Sequence, residues 1–121
     1  MEAKMITLTV NGRRHQVALA PNVTLLRALR DDLGYVDVKN GCEKGDCGAC
    51  TVLLDGKPVN SCLTLAWQAD GAQVTTVAGL GNASTPHVIQ AAFADSGAVQ
   101  CGFCTPGMLM SATALLTWSI P

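Results

Sequence analysis

The chain has 121 residues and a net charge of −1, with no run of basic side chains, so it lacks the basic footprint of a nucleic-acid binder. That length allows one domain or two small ones with limited cores, and no apolar stretch is long enough to span a bilayer. The N-terminus, MEAKMITLTV, has no apolar export segment, and the HQVALAPNV that follows Arg13 and Arg14 cannot complete a twin-arginine signal, so a cytoplasmic protein is expected.

KMITLTVNGRRHQVAL alternates around Asn11–Gly12, the strongest short hairpin signal. Thr24 is placed to cap LLRALRDDL, a helix with Leu26, Leu29 and Leu33 on one face and Arg27 four residues before Asp31. From Gly34 to Gly48 apolar periodicity disappears and a loop is expected. CTVLLDGKPVNSC reads as a second hairpin turning at Asp55–Gly56, and AQVTTVAGL as a final strand. These elements make an α+β unit over residues 1–80. GLGNAS then reads as a linker, centred on 81–84. Residues 85–121 change to helix, in two parts. Thr85 caps the first, with Pro86 at its first position, Val88, Ile89, Ala92 and Phe93 on one face, and Gly97 at its end. Thr105 and Pro106 repeat the start signal before GMLMSATALLTWSI. Met108, Leu109, Met110, Leu115, Leu116, Trp118 and Ile120 surround most of this second helix, which must therefore be buried by something more than its short predecessor; left uncovered, it would drive self-association.

Six cysteines in a chain without an export signal point to metal rather than to disulfides. Cys42, Cys47 and Cys50 are spaced C-x4-C-x2-C with Cys62 beyond, the plant-type 2Fe–2S ligand spacing. Four thiolates give such a cluster a formal charge of roughly −2 oxidised and −3 reduced, so the loop around it must supply N–H donors. Gly41, Gly45 and Gly48 let that loop bend without Cβ clashes, while Lys39 and Lys44 add positive charge that eases reduction. Structural zinc shared between the Cys47/Cys50 and Cys101/Cys104 pairs would leave Cys42 and Cys62 idle. A thiol-exchange motif at Cys47/Cys50 would not explain Cys42 or the glycines.

His15 and His87 form no C-x-H pair and read as solvated surface residues rather than as a Rieske site. Trp67, Trp118, Phe103 and Tyr35 read as packing, and Met108 and Met110 as helix filling. With no carboxylate pair, Ser/His/Asp set or phosphate loop, the chain shows no bond-making machinery of its own.

NGCEKGDCGACTVLLDGKPVNSCLTLAWQADG together with GAVQCGFCTPGMLMSA closely resembles the small iron–sulfur subunit of the xanthine dehydrogenase/aldehyde oxidoreductase family of molybdenum hydroxylases. The likeness runs from about Ile6 to Leu116, and the two motifs in this order are far more specific than either alone. It implies a β-grasp ferredoxin-like domain followed by an all-α domain, each holding a 2Fe–2S cluster. Electrons would come from molybdopterin in a large subunit and leave to FAD on a medium subunit. By the same resemblance Cys42, Cys47, Cys50 and Cys62 match the ligands of the ferredoxin-type cluster. Cys101 and Cys104 match the first two ligands of the helical cluster, and Gln100 matches a position that hydrogen-bonds the pterin. Two departures stand out. YVDVKNGC lacks the family's glycine near Asp37, which points toward the purine-hydroxylase branch. The family also continues with two further helices and a C-x-C pair, so the helical domain is expected to be incomplete here and only one cluster to be ligated by this chain alone. The alternative reading is a free-standing ferredoxin-type carrier, and a zinc-stabilised interaction module is the rival from another class.

Overall fold

Asn11 and Gly12 take left-handed φ values of 53° and 83°, the turn that matches strand twist, and fold Lys4–Val10 (β1) back on Arg13–Leu19 (β2). Asp55 and Gly56, at 50° and 84°, do the same for Thr51–Leu54 (β3) and Lys57–Asn60 (β4). The structure, a computed structural model, describes residues 2–81, 87–98 and 101–119. Gln73–Thr75 (β5) joins the two hairpins, running parallel to β1 and antiparallel to β3, so the strand order is β2-β1-β5-β3-β4.

The strand expected over AQVTTVAGL is shorter than its sequence suggests. At Thr76 the backbone N–H donates to Asn11 Oδ1 (2.9 Å) and the hydroxyl accepts from Asn11 Nδ2 (2.8 Å). The turn of the first hairpin thus takes over the groups that would have continued the ladder, and the chain leaves through a 3₁₀ turn at Val77–Gly79.

Thr24 caps the helix as expected, its Oγ1 accepting from the Arg27 N–H at 3.2 Å. The helix itself differs. Only Leu25–Arg27 (α1) is α-helical, and Ala28–Asp32 widens into a π-helical turn closed by Leu33 N–H to Ala28 O at 3.0 Å. The wider turn brings the following chain back under the helix, where the Arg30 guanidinium donates to the carbonyls of Val36 (3.0 Å) and Val38 (2.8 Å). Leu25, Leu26, Ala28 and Leu29 pack with Ile6, Leu8, Val10, Val52 and Val74 into the core, and burying such aliphatic side chains is the main stabilising term.

In the helical part, Val88–Asp95 (α2) is capped by His87: Nδ1 accepts from the Ile89 N–H (3.1 Å) and Gln90 Oε1 accepts from the His87 N–H (2.8 Å). His87 is therefore a capping residue rather than a merely solvated one, while the expected cap at Thr85 and Pro86 lies outside the described residues. Gly97, at φ 70°, ends the helix, with Ala98 N–H reaching back to Phe93 O at 3.1 Å. The apolar face expected on α2 is not a core face: none of its residues is buried and Val88 is 70% exposed.

Thr105–Ser119 (α3) packs against β3 and β4 of the sheet as well as touching α2. Leu109, Met110 and Ala114 are buried there, whereas Met108, Leu115 and Leu116 on the other side are exposed. The expected need for a cover is thus met on one side by the sheet of the N-terminal unit. The side chain of Trp118 and the whole of Ile120 lie outside the description. Among the described residues no helix is long and apolar enough to cross a membrane.

Candidate metal centre

The loop between the helix and β3 carries three of the cysteines and is shaped by backbone conformations that most residues avoid. Gly45 and Gly48 take φ values of 82° and 70°, and Glu43 takes 56°. Gly41 has an ordinary φ and is needed for space instead, since a Cβ there would lie 2.8 Å from Cys47 Sγ. Two of the three glycines therefore permit bending, as expected, and the third permits close approach. Gly45 is additionally covered by Leu63, whose Cδ1 leaves no room for a side chain.

Bent this way, the loop turns its N–H groups toward its own sulfurs. Lys44 N–H and Cys47 N–H both donate to Cys42 Sγ (3.3 and 3.4 Å), and Ala49 N–H donates to Cys47 Sγ (3.4 Å). The Lys44 bond first, and the Cys47 bond after it, lower the Cys42 thiol to about pH 6. Cys50 and Cys62 occupy the opposite environment, 2% and 6% exposed. Burial, reinforced by the neighbouring Cys50 thiol, pushes Cys62 up to about 11. Cys42 thus pairs with Cys47, and Cys62 with Cys50.

Cys62 is delivered by the hairpin. Ser61, fully buried, donates from Oγ (2.7 Å) and from its N–H (3.4 Å) to the Cys50 carbonyl, locking the residue beside Cys62 to the residue just before β3. Among the described residues no three His, Cys, Asp or Glu side chains converge on a point where one metal ion could sit. The donor set fits a 2Fe–2S cluster: two thiol pairs, a bent loop with N–H groups aimed at sulfur, and a cradle at Gly41 that a side chain would fill.

Lys39 and Lys44 were expected to bring positive charge. The Lys39 ammonium, still charged, donates to the Val36 carbonyl at 2.7 Å, and Lys44 adds a backbone N–H donor to Cys42 Sγ. His15, expected to be solvated, is half-buried, with Nε2 2.6 Å from the Tyr35 hydroxyl and the two rings edge to face. Trp67 packs on the core and donates from Nε1 to Leu19 O at 2.7 Å.

Cys101 and Cys104 are exposed and line a cleft of about 400 Å³ with Gly97, Ala98, Gly102 and Thr105. Cys104 Sγ lies 3.8 Å from Met108 Sδ. Gln100 lies outside the described residues. The two cysteine loops are neighbours: a Cβ on Gly41 would come within 3.4 Å of Cε1 of Phe103, the residue between Cys101 and Cys104. Gly107, in the first turn of α3, abuts the backbone of Gly48 and Ala49.

Sequence reasoning missed three contributors. Ser61 and Gly107 act through contacts across the fold that no local pattern marks. Arg27 was matched to Asp31, and that contact exists at 3.7 Å, but its shorter partner is Glu43 at 2.8 Å.

Residues 8–77 match the family described as 2Fe-2S iron-sulfur cluster binding domain, and residues 76–119 match the one described as 2Fe-2S binding domain. The nicotinate dehydrogenase small FeS subunit of Eubacterium barkeri is 47% identical over 111 residues, which cover 92% of this chain and 71% of that subunit. The aldehyde oxidoreductase iron-sulfur-binding subunit PaoA of Escherichia coli O157:H7 is 46% identical over 115 residues. That match takes in 95% of this chain, which spans 50% of the length of PaoA. Among solved structures, quinoline 2-oxidoreductase from Pseudomonas putida 86 superposes with a TM-score of 0.90 at 43% identity, covering 96% of this chain and 72% of that one. On its two matched 2Fe–2S domains and these relatives, the chain belongs to the small iron–sulfur subunits of the xanthine dehydrogenase/aldehyde oxidoreductase family, the molybdenum hydroxylases.

Proposed function

We propose that this chain is the electron-relay subunit of a molybdopterin-dependent hydroxylase, in which Cys42, Cys47, Cys50 and Cys62 ligate one 2Fe–2S cluster and Cys101 and Cys104 supply two ligands of a second. When bound, such clusters supply reversible one-electron chemistry. The observation that carries the relay is the contact between the two cysteine loops. Phe103 sits over Gly41, and α3 is seated on Gly48 and Ala49, so the sites are held side by side by packing.

The chain's own residues divide the work. The N–H groups of Lys44, Cys47 and Ala49 stabilise negative charge on the sulfurs of Cys42 and Cys47, while Ser61 and the core bury the sulfurs of Cys50 and Cys62 away from water. The exposed loop from Cys101 to Cys104 is the side from which a molybdopterin-binding large subunit would deliver electrons, and Gln100 would contact the pterin if it acts as the matching position does in the family it resembles. A FAD-binding medium subunit would receive them from the ferredoxin-type side. Substrate chemistry, on nicotinate, xanthine, an aldehyde or another compound of the kinds the relatives are named for, would belong to the large subunit, and the assembled complex would be cytoplasmic.

Co-expression with the large subunit, followed by stopped-flow absorbance on the purified complex, tests this. Bleaching of the 2Fe–2S bands by at least one such substrate, recovering on addition of an electron acceptor, is expected. A chain that carries a redox-active cluster yet binds no molybdopterin subunit would be a free-standing carrier, and the proposal would be wrong.

A further inference from the structure

The loop from Cys42 to Cys50 has a left-handed residue that is not glycine. Glu43 holds φ 56°, where glycine is the residue of least strain, and there its carboxylate receives two parallel hydrogen bonds from Arg27. Arg27 Nε donates to Oε1 at 2.8 Å and Nη2 to Oε2 at 3.1 Å, the fork geometry in which Arg recognises a carboxylate best. The third guanidinium nitrogen, Nη1, lies 3.7 Å from Asp31 Oδ2. The pair stands on the rim of a cleft of about 640 Å³ that is also lined by Cys62. On the loop side, Glu43 falls between Cys42 and Lys44, whose N–H is a donor to Cys42 Sγ.

We propose that Arg27 and Glu43 form a charge-balancing pair that sets how readily the cluster held by Cys42, Cys47, Cys50 and Cys62 accepts an electron. The proposal rests on the cluster reading above. Reduction adds one negative charge to a group that is already anionic, so a fixed anion beside it opposes reduction and a fixed cation favours it. Paired, the guanidinium and the carboxylate largely cancel at the cluster. Removing either one exposes the other, and the two removals act with opposite sign. A clamp that merely fastened the loop would behave differently, because loss of either partner would loosen the same loop in the same way. Arg27 and Glu43 would act on the cluster through their charge and are positioning residues in this sense.

The test is a mediated dithionite titration of the full chain with its cluster, one electron per cluster, followed by electron paramagnetic resonance and paired with iron and sulfide analysis. Arg27→Gln is expected to lower the midpoint potential, because Glu43 and Asp31 are left without their cation. Glu43→Gln is expected to raise it, and the double variant to fall between the two. Arg27→Lys, which keeps the charge and loses the fork, stays near the parent. Glu43→Gly removes the charge while accepting the left-handed backbone, so it gives the upward shift even if Glu43→Gln retains iron poorly. The separation between the single variants narrows in about 1 M salt, where the screening length is about 3 Å. Single variants that shift in the same direction, or not at all, with parental iron content overturn the charge-balancing pair, as does an Arg27→Lys shift as large as that of Arg27→Gln. An unaltered chain without any 2Fe–2S signal overturns the underlying cluster reading instead, so the two failures are distinguishable.

Discussion

Gly107 of α3 lies directly on the Gly48 carbonyl, and a methyl group at position 107 would collide with it and with the Cα of Ala49. This contact joins the helix that follows the second cysteine pair to the loop that carries the first. Because the obstacle is backbone, Gly107→Ala has to push the helix off the loop. Overpacking of this kind costs about 1–3 kcal/mol. Thermal unfolding of the iron-loaded chain should show that loss, together with faster iron release to a chelator. Unchanged stability and iron release would mean that α3 does not sit on the loop in solution.

Two glycines separate steric demand from conformational demand. At Gly41 an added Cβ would lie 2.8 Å from Cys47 Sγ, whereas at Gly34 nothing lies within 4 Å but φ is 80°. Gly41→Ala should therefore displace a ligand and lower the iron bound per chain. Gly34→Ala should cost about 1–2 kcal/mol of stability through its left-handed backbone and leave iron content at the parental level. Equal iron content in both variants would contradict the assignment of Cys47 as a ligand packed against Gly41.

Asp70 contributes to the acid limb of stability. The Asp70 carboxylate accepts from the Thr7 N–H at 2.8 Å and lies 3.5 Å from the Lys4 ammonium. The Thr7 bond, with Lys4 assisting, holds its carboxyl below the usual aspartate value. A group with a depressed folded pKa stabilises fully above its unfolded pKa, about 3.9, and loses that contribution as pH falls through the folded value. Compared with Asp70→Ala, the parent chain should keep a constant advantage in urea midpoint at neutral pH and lose it below about pH 4. Acid loss of the cluster is common to both chains and drops out of the difference. A difference that persists undiminished to about pH 2 would contradict the role given to this carboxylate.

What was legible in the sequence is what short-range chemistry decides. Asn11–Gly12 and Asp55–Gly56 take positive φ and make their hairpins, and Thr24 caps its helix. Cysteine spacing singled out the two loops whose thiols are proposed as ligands, because ligand geometry is compressed into a few residues. Pairings between distant positions were not legible. Asn11 ends β5 by bonding Thr76, 65 residues away, and Arg30 reaches carbonyls beyond the π-helical turn. His15 meets Tyr35 across 20 residues. Glu43 carries no local signal of its partner, Arg27, which lies 16 residues earlier in the chain. The apolar helix α3 showed that it needed a partner but not that β3 was one.

The central claim is that Cys42, Cys47, Cys50 and Cys62 hold a 2Fe–2S cluster, and the most direct measurement is electron paramagnetic resonance of the dithionite-reduced chain, with iron counted in the same sample. The unaltered chain and Cys101→Ala should both show the signal of a reduced plant-type 2Fe–2S cluster, a type whose potential lies near about −400 mV. Cys47→Ala should abolish it, with loss of the iron those four cysteines bind. A signal that survives Cys47→Ala, or one that disappears in Cys101→Ala while Cys47→Ala retains it, would contradict the account.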